Sequence, residues 1–346
     1  MRWQARRFDL IQIGSAQLTG KRSSHTSITM APLKVAFLGP LGSFSHQAAA
    51  ESFYKLSADL QPQVSFPDAF AALQKKEVDY AVIPCENSTN GSVMQTLDLL
   101  ADRDGSYKDV KVCGEYYLTV HHCLMVRKGT YPGGWAEYDG SITKLYTHPQ
   151  AWGQCEAFLT KYLKGIERQD VTSTSKAAEI VSKETTERGG AIANRFAAEQ
   201  HGTDVLVENI EDRADNTTRF LVFRNVLDER TAEFKFEQPN PPTLEGELAL
   251  ETTHKTLISF TIDHSSPGAL ANALLIFKAH GLNLTSINTR PSLKKPWQYI
   301  FFVECGRTPS DENKEAVHKA LNDLRQVTET CRDLGTWKDQ LSASNA

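Results

Sequence analysis

Four short stretches rich in Gly, Ser and Thr each stand between an apolar run and a helix-forming run, at residues 39–46, 84–93, 147–151 and 172–176. A loop of that kind aims unpaired backbone N–H groups and the positive end of a helix dipole at one point. Four of them in one domain favour a small, multiply anionic ligand. A fifth stretch, DRADNTTRFLVF from Asp212 to Phe223, sets carboxylate, amide, hydroxyl and guanidinium groups directly against an apolar strand. Asp, Asn and Thr compete with the backbone for hydrogen bonds and disfavour a helix, so this segment is extended or turn-like. Its chemistry is hydroxyl hydrogen bonding beside a cation. Taken alone, paired threonines before a strand reflect β-propensity and nothing more.

These residues need a frame. KVAFLGP from Lys34 reads as a buried strand stopped by Gly-Pro, and an alanine-rich helix follows with Ser43 or Ser45 as its cap. DYAVIPCENS is another buried strand ending in a polar loop, and EYYLTVHHCLMVRKG is a long strand-rich stretch. THPQAWGQC continues into a helix with Pro149 in its first turn, and GGAIANRFAAEQHG is a strand and a helix closed by Gly202. Up to about residue 225 the chain repeats βα units, which predicts an α/β architecture with largely parallel sheets. Such folds hold ligands at the carboxyl ends of the strands. Residues 226–253 are Pro-rich and acidic and read as a linker. Beyond them the order is strand, helix, two strands, helix, strand: βαββαβ, the ferredoxin-like plan.

The chain has 346 residues, 40% of them hydrophobic and 23% charged, with a net charge of −4. That length predicts two or three domains. The charge balance offers nothing to nucleic acid or to an anionic membrane, and no apolar run reaches the roughly 18 residues of a bilayer span. Six irregularly spaced cysteines with no CxxC pair predict reduced thiols and no metal site. His121 and His122 lie in a strand-like run without a partner pattern and read as structural. Residues 1–33 carry Arg2, Arg6, Arg7, Lys21 and Arg22 against the single acid Asp9. They read as a disordered extension of a cytoplasmic protein; the alternative is a transit peptide to an organelle.

The stretches GPLGSFSHQAA, VIPCENSTNGSV, THPQAWGQC, STSKAAEIV and NTTRFLVF fall in the order and approximate spacing of prephenate dehydratase. PGALANALLIFKAHGLNLTSINTRP and YIFFVECG resemble the ACT regulatory domain that usually follows it. The resemblance covers roughly residues 34–335. It implies a two-lobed, periplasmic-binding-like catalytic domain over 34–225, with chain crossings near 115–120 and 210–220, then an ACT domain over 254–338 and a tail from 339. It also implies the activity: prephenate loses its ring hydroxyl as water and one carboxylate as CO2, giving phenylpyruvate on the way to phenylalanine. Aromatisation drives the step, so no cofactor or metal is required. L-Phenylalanine is the implied effector, and pairing of ACT domains implies a homodimer or homotetramer. Two alternatives stand beside this reading: arogenate as substrate, which the motifs do not separate from prephenate, and a non-catalytic two-lobed ligand sensor.

Residue by residue, the Thr-Arg-Phe motif makes Thr218 the implied catalytic residue, an oriented donor to departing hydroxide. Arg219 is either a bidentate partner of a substrate carboxylate or a salt bridge that ties the segment down, and Phe220 anchors both. Glu86, Asn87, Ser88 and Gly91 form an implied substrate loop, although a carboxylate at 86 would repel a dianion unless paired or protonated. Ser173 and Thr174 serve as cap or carboxylate cradle. His148 and Gln154 are further substrate candidates, the latter one turn on from Gln150. In the second domain Gly268, Ala269, Leu270, Asn283, Leu284 and Arg290 are the implied phenylalanine contacts. Asn288-Thr289 stands where the family usually has Glu-Ser, which removes a partner for a ligand ammonium group.

Overall fold

The first strand, β1 (Leu33–Leu38), buries Val35, Ala36 and Phe37 completely, as a central parallel strand covered on both faces must. The structure is a computed structural model and describes residues 31–185, 188–232, 236, 254–306 and 313–340. The expected extension up to residue 30, most of the expected linker and the tail from 341 lie outside the described residues. In chain order β1 is followed by α1 (Phe44–Ser52), β2 (Ala58–Gln63), α2 (Phe66–Gln74), β3 (Tyr80–Asn87), β4 (Gly91–Ser92), α3 (Met94–Ala101) and β5 (Val110–Thr119). A second group comprises β6 (Cys123–Arg127), β7 (Lys144–Thr147), α4 (Pro149–Trp152), α5 (Glu156–Tyr162), β8 (Glu167–Asp170), α6 (Thr174–Lys183), β9 (Gly189–Ala193), α7 (Arg195–His201) and β10 (Thr203–Val207). The chain then returns to the first group through β11 (Thr217–Asn225).

This gives two lobes. In the first, β1 pairs in parallel with β2 and β3, and β11 lies antiparallel between β3 and β5. The second has its own sheet, ordered β10-β6-β9-β7-β8. The chain therefore crosses between lobes twice, after Thr119 and before Thr217. The two crossings touch, the Val120 N–H donating to the Asn216 carbonyl at 2.7 Å. The helix expected after THPQ is broken into α4 and α5 around Gly153, Gln154 and Cys155.

The rest of the described chain is β12 (His254–Thr261), α8 (Ala269–Ala279), β13 (Asn283–Pro291), β14 (Tyr299–Gly306), α9 (Asn313–Val327) and β15 (Thr330–Lys338). Its strands run β13-β14-β12-β15, all antiparallel, with Phe277 of α8 and Leu324 of α9 in one core against Phe260 and Val303. This is the ferredoxin-like order. At its edge β15 meets β5 in parallel, with Gly335 opposite Val112, so the two sheets run on as one. Gly335 has φ +129°, and a Cβ there would overlap the Val112 carbonyl; only glycine fits this joint.

Candidate active site

A cavity of about 1000 Å³ opens between the two lobes. All four Gly/Ser/Thr loops reach it, with Gly39 and Ser43, Asn87 and Gly91, His148 and Gln150, and Ser173 and Thr174 among its wall residues. The loops arrive there because each leaves the carboxyl end of a strand. Three of the four following helices are capped from within: Ser43 accepts from the His46 N–H, His148 from the Gln150 N–H and Ser173 from the Lys176 N–H, while α3 has no side-chain cap. None of the described residues lining the cavity is Lys, Arg, Asp or Glu. The wall offers hydroxyls, amides and backbone N–H groups, with Phe44 and Pro84 among its apolar parts.

Thr218 sits in this wall, on β11 opposite Asn87 of β3. Asn87 Nδ2 donates to Thr218 Oγ1 at 3.0 Å and to Asn216 Oδ1 at 2.9 Å. Asn87 Oδ1 accepts the backbone N–H groups of Thr89 and Asn90, both at 3.0 Å, which turns the loop toward Gly91. Gly91 lines the cavity at φ +78°. Because an amide donor occupies Thr218 Oγ1, the hydroxyl hydrogen is left to point elsewhere. Ser88 does not line the cavity; its Oγ accepts the Thr217 N–H at 2.9 Å and so ties the loop to β11.

Arg219 turns the other way. Successive residues of a strand face opposite sides, so Thr218 in the cavity puts Arg219 behind the sheet. There it is 8% exposed and pairs with Glu115 of β5 at 2.7 Å and Glu304 of β14 at 2.5 Å. Lys255 of β12 joins the cluster, 3.2 Å from Glu115 and 2.8 Å from Asp339. Burial works against the Arg219 charge, but the carboxylates of Glu115 and Glu304 outweigh it and hold its pKa well above the ordinary value. Of the two roles expected for Arg219, the geometry leaves the salt bridge and excludes the contact with a ligand in the cavity. Glu86 is likewise outside the cavity wall, paired in register with Arg219 and Ser92 on the strands. Phe220 is 1% exposed and packs with Phe37, Tyr80 and Val222 beneath the site, as an anchor and not a ligand contact.

From the second lobe, Ser173, Thr174, His148 and Gln154 all reach the cavity. So does His122, read from sequence as structural. It is 1% exposed, and its Nε2 lies 2.7 Å from Gln154 Oε1. Its neighbour His121 points outward and pairs with Glu211. Nothing in HHCLMV marks one histidine over the other; only the lobe crossing selects it. In the second domain, Gly268 opens α8 at φ +82°, with Ala269 and Leu270 half-buried behind it, and exposed Asn283 and Leu284 open β13. Arg290 sends two of its guanidinium nitrogens to Asp98 of α3, at 2.8 and 2.7 Å. Beside it Ser92, in the cavity wall, donates to Asn288 Oδ1 at 2.8 Å.

Burial lowers the pKa of His46, His122 and His201 below the ordinary histidine value. The unfolded chain therefore takes up protons first as pH falls through about 6.5, and folding stability drops toward acid. The melting temperature is expected to decline between about pH 7 and pH 5, and a flat profile over that window would contradict the three shifts.

The prephenate dehydratase family model matches residues 35–226, more than half of the chain and all of the two-lobed part that carries the cavity. The chain belongs to the prephenate dehydratase family. It is 35% identical over 309 residues to the bifunctional chorismate mutase/prephenate dehydratase of Aquifex aeolicus, covering 89% of this chain and 74% of that protein. The chain spans about two thirds of the length of further bifunctional relatives. It is 32% identical to the probable prephenate dehydratase of Saccharomyces cerevisiae, covering 84% of this chain and 92% of the yeast protein. The solved prephenate dehydratase of Arthrobacter aurescens in complex with L-Phe superposes with a TM-score of 0.69 at 26% identity, over 91% of this chain and 92% of that one. The activity of this family is that of a lyase dehydrating prephenate, and it is the activity of the domain described here. Among the described residues no helix is long and apolar enough to cross a membrane.

Proposed function

We propose that the cavity binds prephenate and that Thr218 assists departure of its ring hydroxyl. The observation that carries this reading is the Asn87–Thr218 hydrogen bond: an amide donor on Oγ1 leaves the threonine O–H free to serve a ligand in the cavity it lines. In the reaction the bond from ring carbon to carboxylate breaks, its electron pair enters the ring, and hydroxide leaves with the C–O pair and takes up a proton. A donor at the departing oxygen stabilises the charge that develops there. The two carboxylates are held by loop N–H, hydroxyl and amide groups, because none of the described wall residues is Lys or Arg. Nor is any of the described wall residues Asp or Glu, so the ammonium group of arogenate would meet no counter-charge among them, which favours prephenate. The βαββαβ domain is read as an ACT sensor of L-phenylalanine. Its strand β13 forms the edge of the sheet with Leu284 and Ile287 exposed, which suits pairing of two copies into a homodimer.

The deciding experiment follows phenylpyruvate release from prephenate, and phenylalanine release from arogenate, with and without millimolar L-phenylalanine. The expected result is turnover of prephenate that falls when phenylalanine is added. A large preference for arogenate would overturn the substrate. Activity and oligomeric state indifferent to phenylalanine would overturn the sensor.

A further inference from the structure

His122 reaches the cavity at the first lobe crossing, and its backbone is pinned on both sides. Its N–H donates to Glu211 Oε2 at 2.8 Å and its carbonyl accepts from the Ile210 N–H at 2.9 Å. The ring is packed edge-on against Phe44, centroids 5.6 Å apart, so it has little freedom to turn. One ring nitrogen, Nε2, lies 2.7 Å from Gln154 Oε1; the other, Nδ1, is buried and has no hydrogen-bond partner among the described residues.

A neutral imidazole carries one N–H. Placed on Nδ1, that proton would be a buried donor with no acceptor among the described residues, which is unfavourable. Placed on Nε2, it points at Gln154. Gln154 must then turn its carbonyl oxygen toward the ring, and its amide N–H2 group faces away from His122. Gln154 Nε2 makes no hydrogen bond to another described residue, and Gln154 lines the cavity. The Gln154 main chain is also held, its carbonyl accepting the Asp212 N–H at 2.7 Å.

We infer that His122 is a positioning residue: its Nε2–H locks the Gln154 amide so that both N–H donors face the substrate, where they meet a carboxylate or hydroxyl oxygen. A glutamine without that lock could turn its carbonyl oxygen toward a dianion and would have to be reoriented on binding. His122 itself transfers no proton and touches no reacting atom.

The inference rests on the cavity being the prephenate site, and turnover of prephenate by the wild-type protein tests that reading before any variant is compared. His122→Phe keeps the ring and removes the donor, and is expected to lower kcat/KM about 10- to 100-fold. In a Gln154→Leu background the same substitution should cost less than about threefold, because the residue it acts through is gone. Independent losses that multiply in the double variant would overturn the proposal. Should His122→Phe fail to fold, two amides decide. His122→Gln, whose nitrogen reaches the Nε2 position, should stay within about threefold of wild type, whereas His122→Asn, which reaches only Nδ1, should lose about tenfold or more. Equal activity of these two would overturn it.

Discussion

Thr218→Ala is expected to lower kcat for prephenate by about 100- to 10,000-fold, the range that a positioned proton donor supplies. The melting temperature should barely move. The residue is half-buried in the cavity wall, and its methyl and backbone neighbours stay in place. The loss falls on kcat because the hydrogen bond strengthens as charge builds on the departing oxygen and is weak to the neutral hydroxyl of the ground state. Thr218→Ser restores the O–H and should recover activity to within about tenfold of wild type. Steady-state kinetics on the two variants makes the test. If the alanine variant kept more than a tenth of wild-type kcat, Thr218 would not be the donor, and the Asn87 contact would be no more than a strand-to-strand tie.

Arg219 gives the opposite signature, although it is the next residue. Arg219→Met should destabilise the fold by about 3–5 kcal/mol, since it strands buried carboxylates instead of removing a complete pair. Glu115 is fully buried and would keep only Lys255 as a cation, while Glu304 would keep the Thr285 hydroxyl at 2.7 Å. Urea denaturation reads the loss as a lower midpoint at unchanged slope. At a temperature where the variant is folded, KM for prephenate should stay within about threefold of wild type, because the guanidinium lies behind the sheet. A stable variant with a KM raised more than tenfold would put Arg219 back among the substrate ligands.

These two residues show what the sequence could and could not reveal. The βα repeats, the βαββαβ order and the four polar loops follow from local rules, apolar periodicity and helix caps, but the helix after THPQ is divided in two and the sheets are mixed instead of largely parallel, since β11 and β6 run antiparallel to their neighbours. Thr218 and Arg219 were both candidates, yet a strand's period of two forbids them from sharing a face. The alternation excludes one, but only a contact across the sheet says which, and Glu304 lies 85 residues further on. Glu86 and Asn87 divide in the same way on β3. His122 and Asn216 were missed for a different reason. Each stands in a lobe crossing, where no periodicity marks a residue that lines the cleft or supports one that does, and both partners, Gln154 and Asn87, are remote in the chain. Arg290 fitted a ligand-binding pattern, and it is occupied by Asp98, a residue with no sequence cue linking it to β13.

The charge cluster behind β11 also constrains recombination. Its members come from both domains, Glu115 and Arg219 from the first and Lys255 and Glu304 from the second. A chimera that grafts the second domain of a relative onto this catalytic domain imports whatever stands at positions 255 and 304. Any mismatch is then buried against Glu115 and Arg219, the latter next in the chain to Thr218. Substitutions at these four positions are therefore expected to be tolerated better together than singly.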